Sequence, residues 1–248
     1  MGITTGLRAI KEMDEAAARR KTKVNWLVVP KNSKVEIIFL QELDESSERY
    51  SEKNGLGFLA QEHNNPSRDQ FFKRVLCIND EEHDFKCWAC EKNGKEWDKS
   101  TEENKYNGGW GRKTNFYINV LVRYEKDGEK IEEVAVLQRT RSKRSYVDQI
   151  IDLAIEDGFI SNRLFTLSRK GEGFDTVYTL THRKEDAGIN VEDYELFDLN
   201  DLVTEADYEE QAARLGYEEV EERPVPSLAK SRPAAEESNP EDDSDDWL

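Results

Sequence analysis

The stretch "RKTNFYINVLVRYEKDGEKIEEVAVLQRTR", residues 112–141, decides how this chain folds. Two long runs of β-branched and aromatic residues flank "EKDGEK", where Asp127-Gly128 suits the positive backbone angles of a primed hairpin turn. In the first run Phe116, Ile118, Val120 and Val122 share one face, and Tyr117, Asn119, Leu121 and Arg123 share the other, because strand side chains alternate.

The flanking sequence adds further elements. "RLFTLSRKGEGFDTVYTLTHR" reads as a second hairpin around Gly171 and Gly173, its G-x-G being a turn, since no dinucleotide-type strand and helix surround it. "KVNWLVV" and "KVEIIFLQEL" read as a strand pair broken at Pro30 to Ser33. Residues 44–70 are polar and turn-rich, and a hydrophilic loop runs from about 91 to 111. Helical periodicity marks three segments: "LRAIKEMDEAAARR" with Leu7, Ile10, Met13 and Ala17 in a stripe, "SYVDQIIDLAIEDG" with Gly158 as C-cap, and "EADYEEQAARL". The pattern predicts a mostly β, α+β fold. Domain organisation follows: a helix and basic arm over 1–23, a core over 24–216, and an acidic tail over 217–248.

That tail, "EEVEERPVPSLAKSRPAAEESNPEDDSDDWL", has the composition of a disordered segment. It carries eleven acidic residues against Arg223, Lys230 and Arg232, so nearly half of the chain's net charge of −17 lies outside the core. A net −17 argues against a phosphate-bearing partner unless the positive charge is segregated. It is segregated: residues 112–144 hold nine Lys and Arg against five acids.

All three cysteines fall in "CINDEEHDFKCWAC", Cys77 to Cys90. Cys87-Trp88-Ala89-Cys90 is a C-x2-C knuckle, whose spacing lets two sulfurs reach one ion from a tight turn. Three thiolates need one more ligand for a tetrahedral Zn²⁺, and His63 in "QEHNNP" and His83 inside the loop are the candidates. His83 sits in an acidic, solvent-suited run, which favours His63. Four protein ligands would close the site and make the metal structural. The competing readings are a buried thiol cluster and a redox pair. Neither a secretory signal nor an apolar run long enough to span a membrane occurs, so a reducing cytoplasm is expected.

With His63, Cys77, Cys87 and Cys90 in that order, the chain resembles the zinc-containing phage single-stranded-DNA-binding proteins of the T-even helix-destabilising type. The Cys–Cys intervals match that family, and the His–Cys interval is one residue longer. "RKTNFYINVLV" is similar to the family's basic, aromatic strand; the "SDDWL" ending resembles its acidic terminus, and "RRKTK" (Arg19 to Lys23) its basic self-association motif. The resemblance implies an OB-like barrel with an inserted zinc-binding subdomain at about 60–111 and one structural Zn²⁺. It also implies a non-enzymatic, sequence-tolerant protein that coats single-stranded DNA in replication, recombination and repair, associates with itself along the strand, and sits in the cytoplasm, a host cell's if the protein is viral.

Such a binder needs cations that follow the backbone and rings on which bases stack. The candidates are Tyr106, Trp110, Arg112, Lys113, Tyr117, Arg123, Arg139, Arg141, Lys143 and Arg144. Tyr117 is favoured as a stacking ring because it shares a face with Asn119 and Arg123; "FFKR" (Phe71 to Arg74) is a weaker site. The tail, through Asp245, Asp246, Trp247 and Leu248, is expected to compete for the basic groove and to meet replication or recombination proteins. The rival function is a zinc-ribbon interaction or transcription adaptor, which accounts for the cysteines but not for the basic, aromatic hairpin. No motif of an enzyme stands out.

Overall fold

A computed structural model describes residues 24–66, 73–99, 101, 109–126, 128–143, 145–172 and 175–216. The expected N-terminal helix, Phe71 and Phe72 of "FFKR", and the acidic tail lie outside them.

The hairpin forms as its alternation predicts. Strands β4 (Lys113–Lys126) and β5 (Glu129–Thr140) pair antiparallel along their whole length, and Gly128 takes a φ of 84° at the turn. One edge of β4 is thus filled by β5. Its other edge is shared end to end: β2 (Phe58–Asn64) pairs with residues 113–117, and β1 (Lys34–Phe39) with residues 120–123. The short β3 (Arg74–Leu76) pairs with β2. The second hairpin, β6 (Arg163–Lys170) and β7 (Val177–Asp186), extends the sheet beyond β1. Gly171 turns it with φ 82°, where a Cβ would stand 2.4 Å from the Asp175 carbonyl oxygen.

The mostly β, α+β class is therefore present. All seven strands pair antiparallel in one sheet, which is open rather than closed among the described residues: β7 pairs only with β6 and β3 only with β2.

Both faces of this sheet are covered, by different means. On one face Val35, Ile37, Phe39, Phe116, Ile118, Val120 and Leu137 pack under helix α2 (Val147–Asp157), which buries Val147, Ile150 and Leu153. Full burial of each large aliphatic or aromatic side chain contributes roughly 1.5–3 kcal/mol. The opposite face, with Ile38, Leu40, Tyr117 and Leu121, is covered by the irregular segment that follows β7, through Ile189, Val191, Leu196, Phe197 and Leu199. Asn119, fully buried on that face, holds the segment down: its amide donates to the Phe197 carbonyl (3.0 Å) and accepts from the Phe197 N–H (3.2 Å).

Three local expectations change. Residues 24–30 do not pair with β1, both of whose edges are taken by β4 and β6; Asn25 and Leu27 instead bond to Val136 of β5. The polar 44–70 region contains β2, and the hydrophilic stretch after Cys87 contains helix α1 (Trp88–Asp98). The remaining helix, α3 (Tyr208–Leu215), begins with a reciprocal capping box between Asp207 and Glu210.

Candidate metal centre and basic surface

The ligand-type residues come together through strand pairing and one helix start. His63 lies on β2 opposite Val75 of β3, and Cys77 follows β3 directly, its N–H bonded to the Gln61 carbonyl at 2.8 Å. Antiparallel pairing thus sets His63 beside Cys77. Cys87 is the N-cap of α1 and Cys90 lies in its first turn. The Cys87 side chain makes no cap, so the first-turn N–H groups and the positive helix end favour thiolate charge there.

The nitrogen of His63 and the three sulfurs lie within 4.8 Å of one another. Cys77 Sγ and Cys90 Sγ are 3.7 Å apart, and Cys90 Sγ is 3.4 Å from His63 Nε2. A tetrahedral ion bonded at about 2.3 Å to sulfur and about 2.0 Å to nitrogen sets those edges at about 3.8 Å and about 3.5 Å. Both distances fit, so the group could hold a metal ion. His63 Nδ1 stands 2.9 Å from the Trp110 carbonyl, which fixes the tautomer that leaves Nε2 free to ligate. His83 is outside the cluster, exposed and paired with Asp80 at 2.7 Å.

The electrostatics also suit a cation. Burial opposes charge on His63, but hydrogen bonds to Cys77 and Cys87 and the Trp110 carbonyl outweigh it and raise its pKa to about 9. The thiols share protons unevenly: Cys87 is held well below the ordinary thiol value by Cys77 and Cys90, while Cys90 is pushed well above it by Cys77 and Cys87. A divalent ion held by these residues would relieve this crowding by taking the place of the protons.

The second layer comes from α3, a role no sequence signal assigned. Gln211 is fully buried; its amide oxygen lies 3.3 Å from the Cys87 sulfur and accepts from the Ala89 N–H (3.5 Å). Its amide nitrogen donates to the Leu76 and Ala206 carbonyls at 3.1 and 3.2 Å. Asn65 donates to the Leu215 carbonyl at 2.7 Å. Val75, Ile78, Trp110, Ala206 and Leu215 form the apolar body of this unit, with Trp88 and Trp110 meeting edge to face at 5.6 Å.

Trp110 and Tyr117 therefore depart from the stacking role expected of them. Trp110 is 9% exposed and packs in the apolar unit around the cysteines. Tyr117 is 1% exposed because the segment after β7 covers its face; its hydroxyl donates to Glu62 at 2.7 Å, and Arg74 donates to it at 3.3 Å. Two cations are engaged by carboxylates: Arg123 with Glu132 (2.7 Å) and Arg141 with Asp148 (2.6 Å). Arg112, Lys113 and Lys143 are exposed, Lys113 donating to Asn64 at 2.9 Å. Tyr106, Arg144, Asp245, Asp246, Trp247 and Leu248 lie outside the described residues.

Arg139 has a different environment. Its guanidinium lies 4.3 Å over the ring of half-buried Tyr178 on β7 and 5.9 Å from that of Tyr146, and Arg169 approaches Tyr178 from 5.9 Å. Arg49, Arg123, Arg141, Arg163 and Arg183 all face carboxylates, whereas Arg139 and Arg169 form no ion pair among the described residues. Arg169 donates to the Val29 carbonyl at 3.2 Å, and its buried Nε has no partner. Tyr178 and Arg169 carried no mark in the sequence, since a turn-flanking tyrosine is ordinary in a hairpin.

No protein-family model, curated protein or solved structure matches the chain. No helix among the described residues is long and apolar enough to cross a membrane.

Proposed function

We propose that this protein is a non-enzymatic, sequence-tolerant binder of single-stranded DNA, braced by one structural Zn²⁺ on His63, Cys77, Cys87 and Cys90. The observation that carries the reading is the group of Arg139, Arg169 and Tyr178: two carboxylate-free arginines around one ring, in a chain of net charge −17. Five of the ten described arginines face carboxylates; a pair left without them on an aromatic suits a ligand that brings its own anions and flat rings. Arg112, Lys113 and Lys143 extend the cationic surface along the open end of the β4–β5 hairpin.

The metal unit, inserted between β2 and β4, does no chemistry on this reading. It ties β2, β3, α1 and α3 together beside the binding strands. The likeness to the phage single-strand binders supports the assignment and with it an OB-like relationship for the sheet, a role in replication, recombination and repair in the cytoplasm, and self-association along the strand. The acidic tail competes with DNA for the cations and presents Trp247 and Leu248 to partner enzymes.

Substitution tests the assignment. Tyr178→Ala and Arg139→Gln each weaken binding to an oligothymidylate by about 5–150-fold, the range of one stacking contact worth about 1–3 kcal/mol. An unchanged affinity in both variants, each shown folded by circular dichroism, overturns the placement of the site. Absence of oligonucleotide binding by the intact chain, with zinc bound stoichiometrically, leaves the adaptor reading.

A further inference from the structure

On the sheet face opposite α2, an open groove of about 1120 Å³ runs between residues 52–58 and the segment 193–203. Its floor is apolar: Leu56, Phe58, Leu196, Phe197 and Leu202 line it and are only half-buried. Its rim is acidic, with exposed Glu52, Asp193, Glu195, Asp198 and Asp201 set against Lys53, which donates to the Glu192 carbonyl. The Asn190 amide and the Asn200 N–H donate to Asp193 and Asp198. Among the described residues, no cation pairs with any of the five carboxylates. Asn54, 7% exposed in the groove wall, donates through its amide nitrogen to the Leu40 and Val191 carbonyls, both at 2.9 Å. Its amide oxygen has no hydrogen-bond partner.

Each feature narrows the choice of occupant. The volume exceeds the roughly 300–1,000 Å³ typical of small-molecule pockets and suits a chain segment. Carboxylates without counter-ions repel a nucleic acid and attract lysine and arginine. A half-exposed apolar floor suits a matching apolar stripe, and an unpartnered acceptor suits an occupant that carries N–H donors. We infer that this groove docks a cationic amphipathic helix of a partner protein. Its apolar positions at i, i+3, i+4 and i+7 lie on Phe58, Phe197 and Leu202, and its lysines and arginines meet the carboxylates. A whole second copy, itself at net charge −17, is disfavoured as that partner. The groove shares a sheet face with Tyr117, whereas Arg139 is paired with Phe116 on the other. An occupant therefore leaves the Arg139–Tyr178 group uncovered.

The probe is a fluorescent peptide of about 18 leucines and lysines, about five helical turns, with leucines at the stated spacing. It is titrated into the full chain at low salt and followed by anisotropy. Binding is expected, and a scrambled peptide of the same composition binds about tenfold more weakly, having no apolar stripe. In the E195K/D201K chain affinity for the probe falls about tenfold, since two attractions become repulsions. Both residues are exposed and form no ion pair among the described residues, so this variant keeps its fold, as circular dichroism will show. The D245K/D246K chain undergoes the same change in net charge near its C-terminus and keeps its affinity within about twofold. Equal losses in the two variants, or equal affinity for the scrambled peptide, overturn the assignment. So does an absence of binding, as when a segment of this chain or of a second copy fills the groove. No step involves DNA, so the outcome stands apart from the binding function.

Discussion

Replacing Gln211 by Leu tests whether α3 supports the metal unit or merely lies beside it. The amide nitrogen of Gln211 satisfies two carbonyls, Leu76 and Ala206, at 3.1 and 3.2 Å in a fully buried position. Leucine keeps the bulk and loses both bonds. Each leaves a buried carbonyl unpaired at about 1–3 kcal/mol, so the total destabilisation is about 2–6 kcal/mol. The loss reaches the ligands through the backbone: Leu76 immediately precedes Cys77, and the amide oxygen touches both Cys87 and Ala89. Outer groups of this kind shift metal affinity by about 10–100-fold. The assays are urea unfolding of the zinc-loaded chain and competition with a chromophoric chelator. Destabilisation below about 0.5 kcal/mol together with zinc affinity within twofold of the parent would refute the reasoning.

Three further outcomes are expected. His63→Ala abolishes stoichiometric zinc binding while His83→Ala leaves it at one per chain, as metal analysis after dialysis will show; the reverse pattern contradicts the ligand assignment. In the metal-free chain the pKa of His63 is raised from 6.5 to about 9, so its stabilising contribution is complete below 6.5 and lost as pH rises through 9. Denaturant midpoints of the metal-free protein should therefore fall across that window, whereas those of the zinc-loaded protein should not follow the same titration. Tyr117→Phe removes the 2.7 Å bond to Glu62 and lowers stability by about 1 kcal/mol without changing affinity for single-stranded DNA. A drop in that affinity returns Tyr117 to the binding surface.

Much of the sheet was legible because its strongest signals were local. The 112–141 hairpin and the 163–183 hairpin each carry their own turn glycine and alternation, and both form. β2 was hidden because "FLAQEHN" has a single apolar end and mixes buried Glu62 and His63 with exposed Gln61, a pattern set by the polar network and the His/Cys cluster it serves. Helix α1 was hidden for a related reason: only Ala89 in it is buried, and its start is held by Cys87 and Cys90 rather than by an apolar stripe. The four ligand-type residues were readable from spacing, but Gln211, 121 positions after Cys90, belongs to a contact that only the fold creates. Tyr117 misled because alternation tells which residues share a face, not whether another segment covers it. The chain after β7 does cover it, through Phe197 and Leu199.

The central claim is tested most directly by titrating the zinc-loaded chain with fluorescent oligothymidylate and with duplex DNA over a series of salt concentrations. The account predicts preference for the single strand and little dependence on base sequence. It also predicts a log–log salt slope of about −2, as about three neutralised phosphates of a single strand require. Salt-insensitive binding, equal binding to duplex, or no binding by the zinc-loaded protein contradicts it.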